Sequence, residues 1–147
     1  MPSVHASAVL VGARAVLIRG PSGAGKSRLA YAVIDAARTG LIAFARLVGD
    51  DRVHIEVAHG RLLVRPAETL KGLIEVRGLG IRRLPYEPVA AVGLVVDLGA
   101  GDAERLPAPE SAVAELQGIV LPRLVVAPGV DPVPILLAAL NSADSAR

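Results

Sequence analysis

Short apolar runs separated by turn residues dominate the first half of the chain. Residues 8–11 and 15–18 are apolar and flank a Gly-Ala pair, which predicts a β-hairpin. Residues 53–57 alternate between apolar and polar side chains, and the apolar run 62–64 follows after a turn that contains His59 and Gly60. This second pattern also predicts a hairpin.

Between the two hairpins the spacing of apolar residues changes to that of a helix. Residues 26–38 place apolar side chains on one face, which predicts an amphipathic helix. Gly40 is well placed to end this helix. A second helix is predicted from Pro132 through Leu140, with prolines at its start.

The remaining segments complete a sheet with few helices. We expect buried strands at 41–48, 92–98 and 123–127, a short helix at 111–117, an irregular segment at 66–86, a mobile loop at 99–109 and a frayed tail at 141–147. The pattern predicts an α/β fold, with residues 1–147 forming a single domain.

The composition narrows the class of protein. Of 147 residues, 52% are hydrophobic and 20% are charged, so a folded core is expected. A net charge of +2 and only three aromatic residues (Tyr31, Phe44 and Tyr86) argue against nucleic-acid binding. The absence of cysteine excludes disulfides and cysteine-based metal sites. The sequence shows no leader and no apolar run of the ~20 residues that span a bilayer, so we expect a cytoplasmic protein without membrane contact.

Residues 20–27 match the phosphate-binding pattern G-x-x-x-x-G-K-[ST] between a predicted strand and a predicted helix. Backbone N–H groups of such a loop cradle phosphate oxygens, the lysine bridges phosphates and the serine ligates Mg²⁺. The chain has two lysines and fourteen arginines, so a lysine at this position stands out. The candidate cofactor-binding residues are therefore Gly20, Pro21, Ser22, Gly23, Ala24, Gly25, Lys26 and Ser27.

Phosphate chemistry of this kind needs an acidic partner at the end of a neighbouring strand. Two places qualify on pattern: Asp97, after an apolar strand, and the pair Asp50 and Asp51. Farther along, Glu75 and Arg77 are expected on one face of a strand, followed by a turn at two glycines. From spacing alone, an ion pair between them is favoured over metal ligation.

The segment 75–81 (E-V-R-G-L-G-I) resembles the signature of the bacterial HPr kinase/phosphorylase family. The order of motifs is similar as well: His5 stands fifteen residues before Gly20, and the aspartate pair follows the phosphate-binding loop. The resemblance covers the catalytic half of the longer members and is closest to the short α-proteobacterial form. It implies a mixed sheet with few helices, as in the HPr kinase catalytic domain and PEP carboxykinase.

The resemblance also implies function. It implies an ATP- and Mg²⁺-dependent serine kinase that acts on HPr, the phosphocarrier of the phosphotransferase system, and that also works as a phosphorylase with inorganic phosphate and pyrophosphate. It implies a homo-oligomer, because family members are hexameric.

The same resemblance implies a role for each candidate residue. Asp50 would be the general base, Asp51 would lie near the metal, and Ser27 and Glu75 would be metal ligands. His5 and Arg77 would position these groups, and the loop residue Arg105 would serve the phosphorylase step. By assigning the acidic role to the aspartate pair, the resemblance implies that Asp97 is a strand-end residue and not a metal ligand.

The chain departs from the family pattern at three places. Arg28 replaces the usual glutamate after the loop serine, Ala6 replaces a glycine, and residues 128–132 replace a basic segment. Two alternatives therefore stay open: a P-loop kinase or NTPase for a small molecule, and a non-catalytic nucleotide or phosphate sensor. The first would ignore HPr, and the second would bind nucleotide without turnover.

Overall fold

The structure is a computed structural model that describes residues 3–101 and 112–142. Its elements, in chain order, are β1 (Val4–His5), β2 (Ser7–Val11), β3 (Arg14–Arg19), α1 (Lys26–Arg38), β4 (Ala45–Gly49), β5 (Arg52–Ala58), β6 (Arg61–Pro66), a 3₁₀ turn (Glu68–Leu70), β7 (Leu73–Val76), β8 (Gly80–Arg83), β9 (Ala90–Leu98), β10 (Val113–Leu116), β11 (Ile119–Val126) and α2 (Pro132–Leu140). The two predicted hairpins and the two longer predicted helices are confirmed.

Nine of the described strands form one mixed sheet, in the order β1-β5-β6-β9-β3-β2-β4, with β11 also paired to β9 and β10 to β11. The strands β3, β9 and β11 run parallel, so their C-terminal ends lie at the same edge of the sheet. The loop 20–27 follows β3, and residues 127–131 follow β11. The predicted class, an α/β mixed sheet with few helices, is confirmed.

The central strand β3 explains the position of the core. Its side chains alternate between the two faces of the sheet: Ala15 and Leu17 belong to one apolar layer, Val16 and Ile18 to the other. All four are at most 2% exposed. Helix α1 packs on the second layer. Burial of each large aliphatic side chain stabilises the fold by about 1.5–3 kcal/mol, so the strand that precedes the loop is held firmly on both sides.

Glycines set both ends of α1. Gly25 precedes the helix with φ +98°, and Gly40 follows it with φ +83°. The N–H of Leu41 donates to the carbonyl of Ala36, which closes the helix with an αL turn. The strand predicted from residue 41 begins only at Ala45, because the residues just after Gly40 still bond to the helix.

Two predicted elements differ from the structure. The helix expected at 111–117 is wrong, because Val113–Leu116 is strand β10 and pairs with β11. Gln117 and Gly118 have φ of +50° and +83°, as a tight hairpin turn requires. The segment expected to be irregular contains the β7–β8 hairpin. Residues 102–111, with Arg105 and most of the expected mobile loop, and the tail residues 143–147 lie outside the described part of the chain.

Neither of the helices in the described ranges is long and apolar enough to cross a membrane.

Candidate active site

The loop after β3 has the backbone of a phosphate cradle. Gly23 and Gly25 have φ of +82° and +98°, which residues with a Cβ rarely adopt. A Cβ on Gly20 would lie 3.0 Å from both the Cβ and the carbonyl oxygen of Leu98, so β9 limits this position to glycine. The N–H of Ala24 donates to the carbonyl of Pro21 (3.1 Å), which closes the turn.

Two positive features converge on this cradle. The ammonium of Lys26 donates to the carbonyl oxygens of Gly20 (2.9 Å) and Pro21 (3.1 Å), so it lies along the loop. Helix α1 begins there with no side-chain cap and no acidic residue in its first turn. Its first N–H groups and the positive end of its dipole therefore favour an anion. These residues fit the phosphates of a nucleotide.

Asp50 is the acidic partner of the loop. Its carboxylate accepts a hydrogen bond from Ser27 Oγ at 2.8 Å to each oxygen, from Ser7 Oγ at 2.6 Å and from the N–H of Glu75 at 3.2 Å. The residue is 4% exposed. A hydroxyl and a carboxylate in contact are the pair of protein oxygens that P-loop enzymes use for Mg²⁺, so the site fits this metal as well.

Asp51 differs from Asp50 although the two are adjacent. It is exposed and has φ +69°, a left-handed conformation that aspartate tolerates better than most residues. Its backbone is fixed by two bonds: its N–H donates to Ser7 Oγ (3.3 Å), and its carbonyl accepts from the N–H of Ala6 (3.2 Å). Within residues 3–101 and 112–142, no donor contacts its carboxylate. The pair thus combines the buried carboxylate of Asp50, which accepts hydrogen bonds from three residues, with the exposed carboxylate of Asp51.

His5 lies next to this pair because β1 pairs with β5, with His5 opposite Arg52. Arg52 Nη2 is 2.9 Å from His5 Nε2. A guanidinium can only donate, so Nε2 accepts this hydrogen bond. The structure therefore brings His5, fifteen residues before the loop, to the strand that follows the aspartates.

Glu75 and Arg77 do not share a strand face, so that expectation is wrong. Strand β7 ends at Val76, and residues 77–79 form a turn in which Gly78 has φ +84°. No ion pair joins Glu75 and Arg77 in the described structure. Glu75 contacts the site with its backbone N–H, which donates to the carboxylate of Asp50, while its side chain is exposed. Arg77 lies at the exposed turn of the hairpin.

Asp97 does not face the loop serine. Its carboxylate accepts two hydrogen bonds from Arg19, each 2.8 Å long, and one from Arg123. Burial alone would raise the pKa of Asp97, but the hydrogen bonds and charges of the two arginines outweigh it and lower the pKa below 3.8. Asp97 ties β3, β9 and β11 together, in agreement with its reading as a strand-end residue.

We expect Asp97→Asn to lower the free energy of unfolding at pH 7 by about 2 kcal/mol, because two guanidinium groups lose their charged partner. The folded state lowers the pKa of Asp97, so its stabilisation is present above pH 3.8 and is lost as the pH falls further. Urea unfolding of both proteins from pH 3 to pH 7 tests this. A difference that stays constant below pH 3.8 would contradict it.

Ser7 is a site residue that the sequence analysis missed. It is the other buried polar residue in the described chain, at 0% exposure, and it contacts both aspartates. A register shift between Ala8 and Val9 in the β2–β4 pairing sets Gly49 opposite Ala8, next to Ser7. The one sign of Ser7 in the sequence is a hydroxyl residue at the start of an apolar strand. Such residues are also common on exposed strands, so this sign does not identify a site.

Ser7→Ala is expected to reduce the free energy of unfolding by about 1.5 kcal/mol, since the buried carboxylate of Asp50 loses a charge-assisted donor. Ser3→Ala is the matched control, because Ser3 bonds to Arg52 in an exposed position. The control should change stability by less than about 0.5 kcal/mol. Equal stability of both variants in urea unfolding would show that the Ser7 hydroxyl does not hold Asp50.

Comparisons with known proteins identify a family and several relatives of this chain. The sequence profile of the HPr Serine kinase C-terminal domain family matches residues 1–84. The HPr kinase/phosphorylase of Streptococcus thermophilus is 41% identical over 80 residues, which are 54% of this chain and 24% of the relative. The corresponding protein of Halalkalibacterium halodurans is 36% identical over 112 residues, which are 71% of this chain and 34% of the relative. The chain thus spans less than half the length of these relatives.

A solved structure shows the same fold. The HPr(Ser) kinase/phosphatase from Coxiella burnetii superposes with a TM-score of 0.75 and 21% identity, over 96% of this chain and 89% of that one. The match extends through β11 and α2, beyond the residues that the family profile covers.

Proposed function

Because the chain belongs to the HPr Serine kinase C-terminal domain family, we propose that it is a protein kinase that transfers the γ-phosphoryl group of ATP to a seryl hydroxyl of HPr. The observation that carries this proposal is the contact between the buried Asp50 and the loop residue Ser27, with the exposed Asp51 beside them. This arrangement supplies a metal-binding pair and a neighbouring base, the two acidic functions that the reaction needs.

The proposed roles follow the geometry of the loop. The backbone N–H groups of residues 22–27 and the ammonium of Lys26 hold the phosphates. Ser27 and Asp50 would hold Mg²⁺, with Glu75 close by, and the ion would supply positive charge beside the phosphates. Phosphoryl transfer depends mainly on positioning and charge stabilisation, so a rigid cradle on β3 suits it.

For the proton we favour Asp51 over Asp50, to which the resemblance assigns it. Asp50 already accepts bonds from two hydroxyls and one N–H, and it is buried. Asp51 is exposed, and its backbone N–H and carbonyl are both hydrogen-bonded. As the bond between the seryl oxygen and the γ-phosphorus forms and the bond to the β-phosphate oxygen breaks, the seryl proton passes to Asp51 and ADP leaves.

We propose that the same site also catalyses the phosphorylase reaction, in which the phosphate is removed from the serine of HPr. An oxygen of inorganic phosphate would bond to the phosphorus of the seryl phosphate while the bond from that phosphorus to the seryl oxygen breaks. Asp51 would return a proton to the seryl oxygen, and pyrophosphate would be released. His5, through the β1–β5 pairing, and Arg77, on the β7–β8 hairpin, would position these groups. Arg105, outside the described residues, would serve this direction.

Purified protein incubated with HPr, Mg²⁺ and γ-labelled ATP tests the function. We expect label on a seryl residue of HPr, and none on HPr in which the regulatory serine is alanine. Label on a small molecule from a metabolite mixture would instead show a metabolite kinase, and binding of ATP without any transfer would show a sensor. Release of pyrophosphate from seryl-phosphorylated HPr and inorganic phosphate tests the reverse direction.

A further inference from the structure

A cavity of about 630 Å³ opens beside the phosphate-binding loop. Residues 21–24 of the loop form one side of it, Leu98 and Gly99 after β9 form a second, and residues 126–132 after β11 form the third. It lies outside the C-terminal ends of three parallel strands, where open α/β sheets bind their ligands. Its size is typical of small-molecule sites.

The cavity continues directly from the phosphate cradle, because the same four loop residues line both. Its walls combine polar and apolar surface in nearly equal shares. The larger apolar lining side chains are Pro21, Leu98, Val126, Pro128, Val130 and Pro132. A phosphate chain held in the loop would therefore lead into a space of mixed polarity that is large enough for a base and a sugar.

One ion pair supplies the charged side chains of this cavity. Arg28 Nη1 is 3.4 Å from Asp131 Oδ1, and the two side chains are 58% and 54% exposed. Asp131 also caps α2, because Oδ1 accepts the N–H of Val133 at 3.1 Å. Both contacts use Oδ1, and no donor in the described residues contacts Oδ2. The second oxygen is thus available to a ligand in the cavity.

We infer that this cavity binds the nucleoside part of a nucleoside triphosphate, with Asp131 Oδ2 accepting hydrogen bonds from the ribose hydroxyls. A carboxylate that accepts from a ribose hydroxyl is a common way to recognise this sugar. The guanidinium of Arg28 holds Asp131 and offsets its repulsion of the triphosphate. The inference rests on the proposed function, since it takes the phosphates to lie in the loop.

Calorimetric titration of ATP and of tripolyphosphate, both with excess Mg²⁺, tests the inference. Tripolyphosphate has the phosphate chain without the nucleoside, so the ratio of the two affinities measures the cavity alone. The variants are Asp131→Ser, which keeps a residue able to cap α2, and Arg28→Gln. Arg38→Gln is the matched control, because Arg38 is at the other end of α1.

The unmodified protein should bind ATP about tenfold more tightly than tripolyphosphate, and Asp131→Ser should remove most of this difference. Arg28→Gln should weaken both ligands, and Arg38→Gln neither. Equal affinity for the two ligands, or an unchanged ratio in Asp131→Ser, would overturn the nucleoside site and leave the phosphate cradle intact. If neither ligand bound more tightly to the unmodified protein than to Lys26→Met, the proposed function itself would fail.

Discussion

Asp51→Asn is expected to slow phosphorylation of HPr by about two to four orders of magnitude and to leave Mg²⁺-ATP binding unchanged. The amide has nearly the same size but cannot accept the seryl proton. Since the Asp51 carboxylate has no bonded donor in the described structure, its loss should leave the packing of the site intact. Single-turnover transfer, together with ATP titration, measures both effects.

Asp50→Asn is the matched comparison, one residue away. Asp50 holds Ser27 and the N–H of Glu75, so this variant should lose Mg²⁺-dependent ATP affinity as well as transfer. The opposite result, with transfer lost but binding kept in Asp50→Asn and transfer kept in Asp51→Asn, would return the base to Asp50. The two variants therefore assign the proton to one carboxylate.

Lys26→Met is expected to lower ATP affinity by about a hundredfold or more, because the ammonium that would contact the phosphates is lost. Methionine keeps most of the length of the side chain, so the loss should come from the charge. The measurement is titration of ATP, with the melting temperature as a check on folding.

The chain offers its own control for this variant. Lys71 is the only other lysine, and it pairs with the exposed Glu68 at 2.8 Å. Lys71→Met should bind ATP like the unmodified protein. Equal ATP affinity in Lys26→Met and Lys71→Met would show that the loop does not bind the phosphates.

The parts of the site that the sequence predicts are those encoded locally. The loop 20–27 and helix α1 are adjacent in the chain, so glycines, lysine and apolar spacing define them together. The helix predicted at 111–117 is wrong, because pairing with a neighbouring strand decides the structure of this segment. Its apolar residues fit a helix, but the turn at Gln117 and Gly118 and the pairing with β11 determine the structure.

The other features depend on contacts between distant residues. Ser7 and Asp50 are 43 positions apart, and their contact lies next to a register shift in the β2–β4 pairing. The contrast between Asp50 and Asp51 follows from the left-handed backbone at Asp51, which the alternation of a strand does not predict. Asp97 ends a strand as expected, but Arg19, its partner, is 78 positions away.

The bonds of Asp50 also bear on the stability of the whole protein. They join β2, the start of α1 and β7, so this carboxylate reaches its place only when all three have assembled. An unfolded chain has no such arrangement, and a ligand that needs it would bind the native state alone. Mg²⁺-ATP at a hundred times its dissociation constant should then raise the free energy of unfolding by about 2.7 kcal/mol through mass action, and the melting temperature should rise with it.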